Sequence, residues 1–268
     1  MKAVSKTAYY CCGVRMQDAE SAHPVVNDTY ARRLMGEEGL KYWEEFKNFK
    51  MPNAGNTARA YIIDNFLKEE LLINPNSTVI IIGAGLDSRA YRLNGGIWIE
   101  IDEQAVIDYK NEILTESECK NKLVRIPINF ETEKLSDKLY AYSGNKHILI
   151  VVEGVLMYLT NYQRNVLLQT VSNLFPKHTL YCDLMSKKFF EKLGTPIHKK
   201  FSEYGATFKD LNTDPADLFL QYGYKQTDQV SMIQKAQELG LAKTPKFLMK
   251  LLLGKLIMGY STHRFIHE

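Results

Sequence analysis

Apolar residues fall into two regimes along this chain. Between residues 78 and 185, short aliphatic runs alternate with stretches whose apolar positions recur every three or four residues. Val79 to Ile82, four β-branched residues in a row, predicts a strand buried on both faces. Further strands are predicted at Ile97–Ile101, Leu123–Ile128, His147–Val152 and Thr179–Met185. The proline inside the third puts that strand at a sheet edge or makes it a strand end. Helices are predicted between them: Asp102, as an N-cap, to about Leu114; Lys134 to Tyr142; and Thr160, in capping-box form with Gln163, to about Phe175. Ahead of the first strand, Thr57 to Leu72 is amphipathic, and the composition of Pro52 to Asn56 predicts a loop.

Outside that window the pattern changes. Residues 1–50 carry helical spacing and no strand signal. Residues 187–220 are polar and lack a strand pattern, and two late strands are predicted at Tyr224–Met232 and Gly259–Ile266. Five β/α units followed by two late strands predict an α/β fold, a seven-stranded, mostly parallel sheet with its last strand antiparallel. The expected organisation is an N-terminal helical cap over 1–56, an α/β core over 57–186, a lid insertion over 187–222, and C-terminal strands and a helix over 223–268.

Composition narrows the partners. The 268 residues carry a formal charge of only +3, with no arginine-rich tract, so nucleic acid is not the default partner. The four cysteines (Cys11, Cys12, Cys119 and Cys182) form neither a metal pair nor a disulfide framework, and predict reduced thiols in a cytoplasmic protein. The N-terminus lacks the apolar core of a signal peptide. The apolar run Phe247–Tyr260 is interrupted by Lys250 and Lys255 and is too short to span a bilayer. A helix after Lys246 could pack on the core, lie on a membrane surface or form a homodimer face. His263 and His267 are four apart, a metal spacing only on a helix, and a strand is predicted there, so no metal is expected. His198, in the lid, reads as a surface histidine or a base.

The candidate chemistry starts at the end of the first strand. Gly83-Ala84-Gly85 follows the buried run directly, as a turn that lets a ligand approach the backbone. The third glycine of either nucleotide-binding fingerprint is absent, with Asp87 and Ser88 in its place. Asp102 ends the second strand, where nucleotide-binding sheets put an acid for both ribose hydroxyls. Glu100, two residues earlier, points to the same face.

Gly83-Ala-Gly-Leu-Asp-Ser-Arg-Ala-Tyr-Arg-Leu93, then Glu100-Ile-Asp102, then Glu153-Gly-Val-Leu-Met-Tyr-Leu159 resemble the leucine carboxyl methyltransferase family, whose bacterial branch includes tetracenomycin-type polyketide O-methyltransferases. The resemblance covers roughly residues 7–185. It implies a class I methyltransferase, with a Rossmann-like sheet and S-adenosyl-L-methionine as methyl donor. Carried over, Gly83 and Gly85 lie against the methionine part of that cofactor, Asp102 on its ribose, and Glu153 faces it. Near the adenine the family has an acid followed by leucine; Asn129 and Phe130 stand there instead. Arg59, in Asn56-Thr-Ala-Arg-Ala-Tyr61, matches a family arginine suited to gripping a carboxylate of cofactor or substrate. Tyr158 matches a tyrosine near the methyl-acceptor pocket.

The expected activity is in-line O-methyl transfer to a small molecule, preferably a carboxylate, which is already ionised at neutral pH. The alternatives are methylation of a protein C-terminal carboxylate, an NAD-dependent oxidoreductase, and a cofactor-binding protein without catalysis.

Overall fold

The structure, a computed structural model, describes residues 3–242 and 254–268. The first half of the run Phe247–Tyr260, where the helix after Lys246 is expected, lies outside the described residues. The seven strands are β1 (Thr78–Ile82), β2 (Ile97–Asp102), β3 (Lys122–Pro127), β4 (Ile148–Val152), β5 (His178–Met185), β6 (Lys225–Ser231) and β7 (Tyr260–His267). Each begins and ends within two residues of its predicted span. They form one sheet in the order β3-β2-β1-β4-β5-β7-β6, parallel except for β7, which runs antiparallel to both neighbours. Pro127 stands at the end of edge strand β3, where its missing N–H breaks no ladder.

Alternation along β1 divides the core. Val79 and Ile81 pack with helices α1 (Ala3–Ala19), α2 (Ala31–Glu44) and α3 (Lys50–Ile73). Ile80 and Ile82 face the other way, where Leu167, Leu168 and Val171 cover them. These four aliphatic side chains are at most 2% exposed, and each contributes roughly 1.5–3 kcal/mol by burial. The remaining helices are α4 (Arg89–Arg92), α5 (Gln104–Ile113), α6 (Leu135–Leu139), α7 (Asn161–Leu174), α8 (Lys187–Phe189), α9 (Thr195–Glu203), α10 (Asp217–Gln221) and α11 (Met232–Glu238). The Thr160/Gln163 capping box opens α7. A π turn over Phe190–Gly194 joins α8 to α9, so the segment expected to lack strands is helical.

Two local expectations fail. The loop predicted at 52–56 is the first part of α3. Pro52 occupies the first turn, where no N–H is needed. The Asn53 amide closes the preceding turn by donating to the carbonyls of Phe46 (3.1 Å) and Lys47 (3.2 Å). Loop-forming residue types are thus consumed in fixing a helix start. Asp102 is not the N-cap of α5; Glu103 holds that position without a side-chain cap. The Asp102 carboxylate turns back to the end of β1 instead.

Candidate active site

The site grows from the carboxyl ends of β1, β2, β4 and β5. At β1, the N–H groups of Gly83 and Ala84 donate to the Ile101 carbonyl (2.9 and 3.1 Å), which folds the turn over the end of β2. Gly83 has φ +72°, and a Cβ there would lie 2.5 Å from Val155 Cγ2, so no other residue fits without a shift. Asp102 Oδ2 accepts from Gly85 N (2.6 Å) and Oδ1 from Glu103 N (2.7 Å). Burial raises the Asp102 pKa, and these two backbone bonds oppose the rise. Each oxygen retains lone-pair capacity, so the carboxylate can still accept from two vicinal hydroxyls. These donors and acceptors fit the ribose of S-adenosylmethionine.

Asn129 and Phe130 lie just beyond β3, exposed. Asn129 Oδ1 accepts from Glu131 N (3.0 Å), within its own loop. The loop joins the Asp102 region through the backbone, Ile128 N donating to the Asp102 carbonyl (2.9 Å). Glu100 is fully buried and paired with Lys110 (2.7 Å) and Arg125 (2.9 Å) on its own side of the sheet.

Arg59, from the middle of α3, is the hub of the other half. Its Nε donates to Glu153 (2.8 Å), Nη1 to Asp183 (3.0 Å) and Tyr260 (3.1 Å), and Nη2 to the Cys11 sulfur (3.3 Å). Glu153 gives its second oxygen to Arg89 (2.7 Å), which also pairs with Asp64 (2.6 Å) and Asp87. Arg92 joins Asp64 (2.7 Å) to Asp28, and Arg15 joins Asp28 (2.8 Å) to the Leu86 carbonyl (2.6 Å). Burial alone would raise Glu153, but Arg89 and then Arg59 outweigh it and hold its pKa down to about 2. Four guanidinium groups face five carboxylates in this network, leaving it one negative charge.

Sequence reading missed Asp183 and Tyr260. Asp183 Oδ1 accepts from Gly154 N (2.6 Å), and Oδ2 accepts from Tyr260 (2.7 Å) as well as from Arg59. A buried acid inside the apolar strand Thr179–Met185 was a usable signal. Tyr260 offered none, since its partners lie far away in the chain.

A cavity of about 370 Å³ opens beside Arg59 and Gly154. α1 contributes Thr7, Tyr10 and Cys11; α3 contributes Met51, Pro52, Gly55 and Asn56; Met157 and Tyr158 follow β4. Phe189, Leu193, Ile197 and Phe201 from the α8–α9 segment form its apolar side with Phe208, Met185 and Met232. The Tyr158 ring meets Phe208 edge-on at 5.1 Å, and its hydroxyl bonds Thr7. Burial pushes up the pKa of Tyr158, Tyr10, Tyr260 and Cys11. His198 is not among the cavity-lining residues: its ring packs with Phe190 and Phe208, and Nε2 accepts from Phe208 N (3.0 Å). His263 and His267 lie on β7, and no described group of His, Cys, Asp and Glu is arranged to hold a metal. Among the described residues no helix is long and apolar enough to cross a membrane.

Residues 10–172 match the model of a family described as leucine carboxyl methyltransferase. A relative from Gibberella zeae, named an S-adenosyl-L-methionine-dependent methyltransferase, is 28% identical over 60% of this chain and 58% of its own. The chain spans about three fifths of the length of this and similar relatives. A Mycobacteroides abscessus relative, named a putative methyltransferase of the same type, is 22% identical over 90% of this chain and 88% of its own. In fold, the chain is similar to magnesium protoporphyrin IX methyltransferase of Synechocystis, solved with bound S-adenosylhomocysteine. That likeness has a TM-score of 0.51 at 12% identity and covers 90% of this chain and 99% of the other.

Proposed function

This protein belongs to the leucine carboxyl methyltransferase family, and we propose that it methylates a carboxylate of a small apolar molecule, with S-adenosylmethionine as donor. When bound, that donor supplies an electrophilic methyl on a sulfonium. Gly83, Gly85 and Asp102 hold its ribose and methionine parts at the ends of β1 and β2. The network's single negative charge suits a ligand of net charge +1.

The observation that carries the carboxylate reading is the absence of a base among the described residues that line the cavity. Tyr10, Tyr158, Tyr260 and Cys11 all keep their protons at neutral pH, while Glu153 and Asp183 are taken up by Arg59, Arg89, Gly154 and Tyr260. A phenol would need a base, whereas a carboxylate arrives ionised. The second hydrogen on Arg59 Nη2 has no partner among the described residues and can orient the acceptor. The Met- and Phe-lined wall excludes water. It thereby favours a reaction in which a carboxylate and a sulfonium combine into two neutral products. Side chains between Phe189 and Phe208 wall one side of the cavity, which favours a small molecule over a protein terminus.

Calorimetric titration with S-adenosylmethionine, followed by turnover on a panel of hydrophobic acids, tests the reading. Binding weakened about 100-fold in Asp102→Ala, as for loss of two hydrogen bonds to a charged group, is expected. Methyl esters should form only from ionised acids. No binding of the donor, or transfer confined to hydroxyl acceptors, would overturn it.

A further inference from the structure

A chain of side-chain amides along α3 has a fixed hydrogen-bond direction, and it ends in the cavity. Asn53 Nδ2 donates to two backbone carbonyls, those of Phe46 and Lys47, which can only accept. Its Oδ1 is therefore an acceptor and takes the proton of Tyr10 (3.0 Å). Tyr10, having donated, accepts from Asn56 Nδ2 (3.2 Å). The same Nδ2 donates to the Pro52 carbonyl (3.0 Å), a second obligatory acceptor. Both amide hydrogens of Asn56 are thus engaged, and the amide cannot flip without breaking two bonds. What remains on this cavity-lining side chain is Oδ1, which has no partner among the described residues. It can only accept.

Asn56 stands one helical turn from Arg59 on the same face of α3. Gly55 beside it leaves room, since a Cβ there would meet only Met232 Cε, at 4.0 Å. We propose that Asn56 is a specificity-determining residue that selects acceptors carrying a hydrogen-bond donor, a hydroxyl or an amine, remote from the carboxylate held at Arg59. This rests on the methyl-transfer reading above. The substrate class is an apolar carboxylic acid with one hydrogen-bond donor remote from the carboxylate, for example a hydroxylated aromatic acid. An acid lacking the donor would leave Asn56 Oδ1 desolvated and unpaired, and is disfavoured for that reason.

The test uses matched acids, 4-hydroxyphenylacetate against phenylacetate and 4-hydroxycinnamate against cinnamate. It measures methyl-ester formation, and in parallel binding of each acid by equilibrium dialysis. For the natural protein the hydroxylated member should be favoured by about tenfold or more in kcat/KM and in affinity. In Asn56→Leu that ratio should fall to about one. In Tyr10→Phe the amide loses one of its two anchors, and the ratio should fall severalfold. Unchanged thermal unfolding and donor affinity would show that both variants fold. Equal treatment of the paired acids by the natural protein, or a ratio unchanged in Asn56→Leu, overturns the inference while the carboxylate reading stands. Donor-dependent binding without ester formation upholds the inference and overturns the carboxylate reading instead.

Discussion

Arg59 divides two regions built on opposite principles. On one flank, Glu153, Arg89, Asp64, Arg92, Asp28 and Arg15 form a buried ionic lattice in which nearly every polar atom has a partner at a set distance. On the other, methionine and phenylalanine side chains line a cavity with few polar atoms. The lattice can hold groups in place but can hardly adapt, because a half-satisfied buried charge is costly. The cavity can change its occupant cheaply, since methionine repacks with little loss. Placement of the reacting centres belongs to the first region and choice of acceptor to the second.

The largest expected effect is on the lattice. Arg89→Met removes the partner shared by Asp64, Asp87 and Glu153, and should lower stability by about 3–5 kcal/mol in urea unfolding. A variant that lost turnover but kept full stability would erase the distinction between the regions. Acid offers a second probe. Glu153 has its pKa lowered from 4.5 to about 2, so the unfolded chain takes up the proton first. Its contribution is complete above pH 4.5 and is lost as pH falls through 2. It is worth about 2–4 kcal/mol, and Glu153→Gln should flatten that part of the stability curve.

Two buried histidines act earlier in an acid titration and away from both regions. His178 and His263 are pushed down by burial from 6.5 to about 4. Here too the unfolded chain binds the proton first, so stability is full above pH 6.5 and falls toward pH 4. Replacing His178 with glutamine should reduce the slope in that window by about one proton's worth, read from unfolding at a series of pH values. The smallest effect belongs to the cavity wall. Met185→Leu conserves volume and should change stability by less than about 1.5 kcal/mol, yet shift relative kcat/KM across an acid panel severalfold.

The same contrast governs what could be read from the chain. Val79 to Ile82, the glycine turn and Asp102 are local features, and the backbone geometry they demand is written within about 25 residues. Arg59 and Glu153 stood out through family motifs, yet their pairing with each other spans 94 positions and carried no local sign. Asp183 was hidden inside a strand, and Tyr260 lies 201 positions from Arg59. Pro52 to Asn56 misled for a related reason. Proline, asparagine and glycine favour turns in isolation, but here Asn53 and Asn56 bond carbonyls of their own turn and of the preceding one, and the helix wins.

At β7, sequence order and sheet order part company, because this strand lies between β5 and β6. During synthesis β1 to β5 can assemble as they emerge, each beside a strand already present. β6 emerges without a neighbour and must wait for residues 260–267 before it can join. Tyr260, which completes the surroundings of Arg59 and Asp183, arrives on that same late strand. A nascent chain therefore has its glycine turn long before it has a finished pocket. A ligand for the pocket can therefore stabilise only chains whose last described strand is in place.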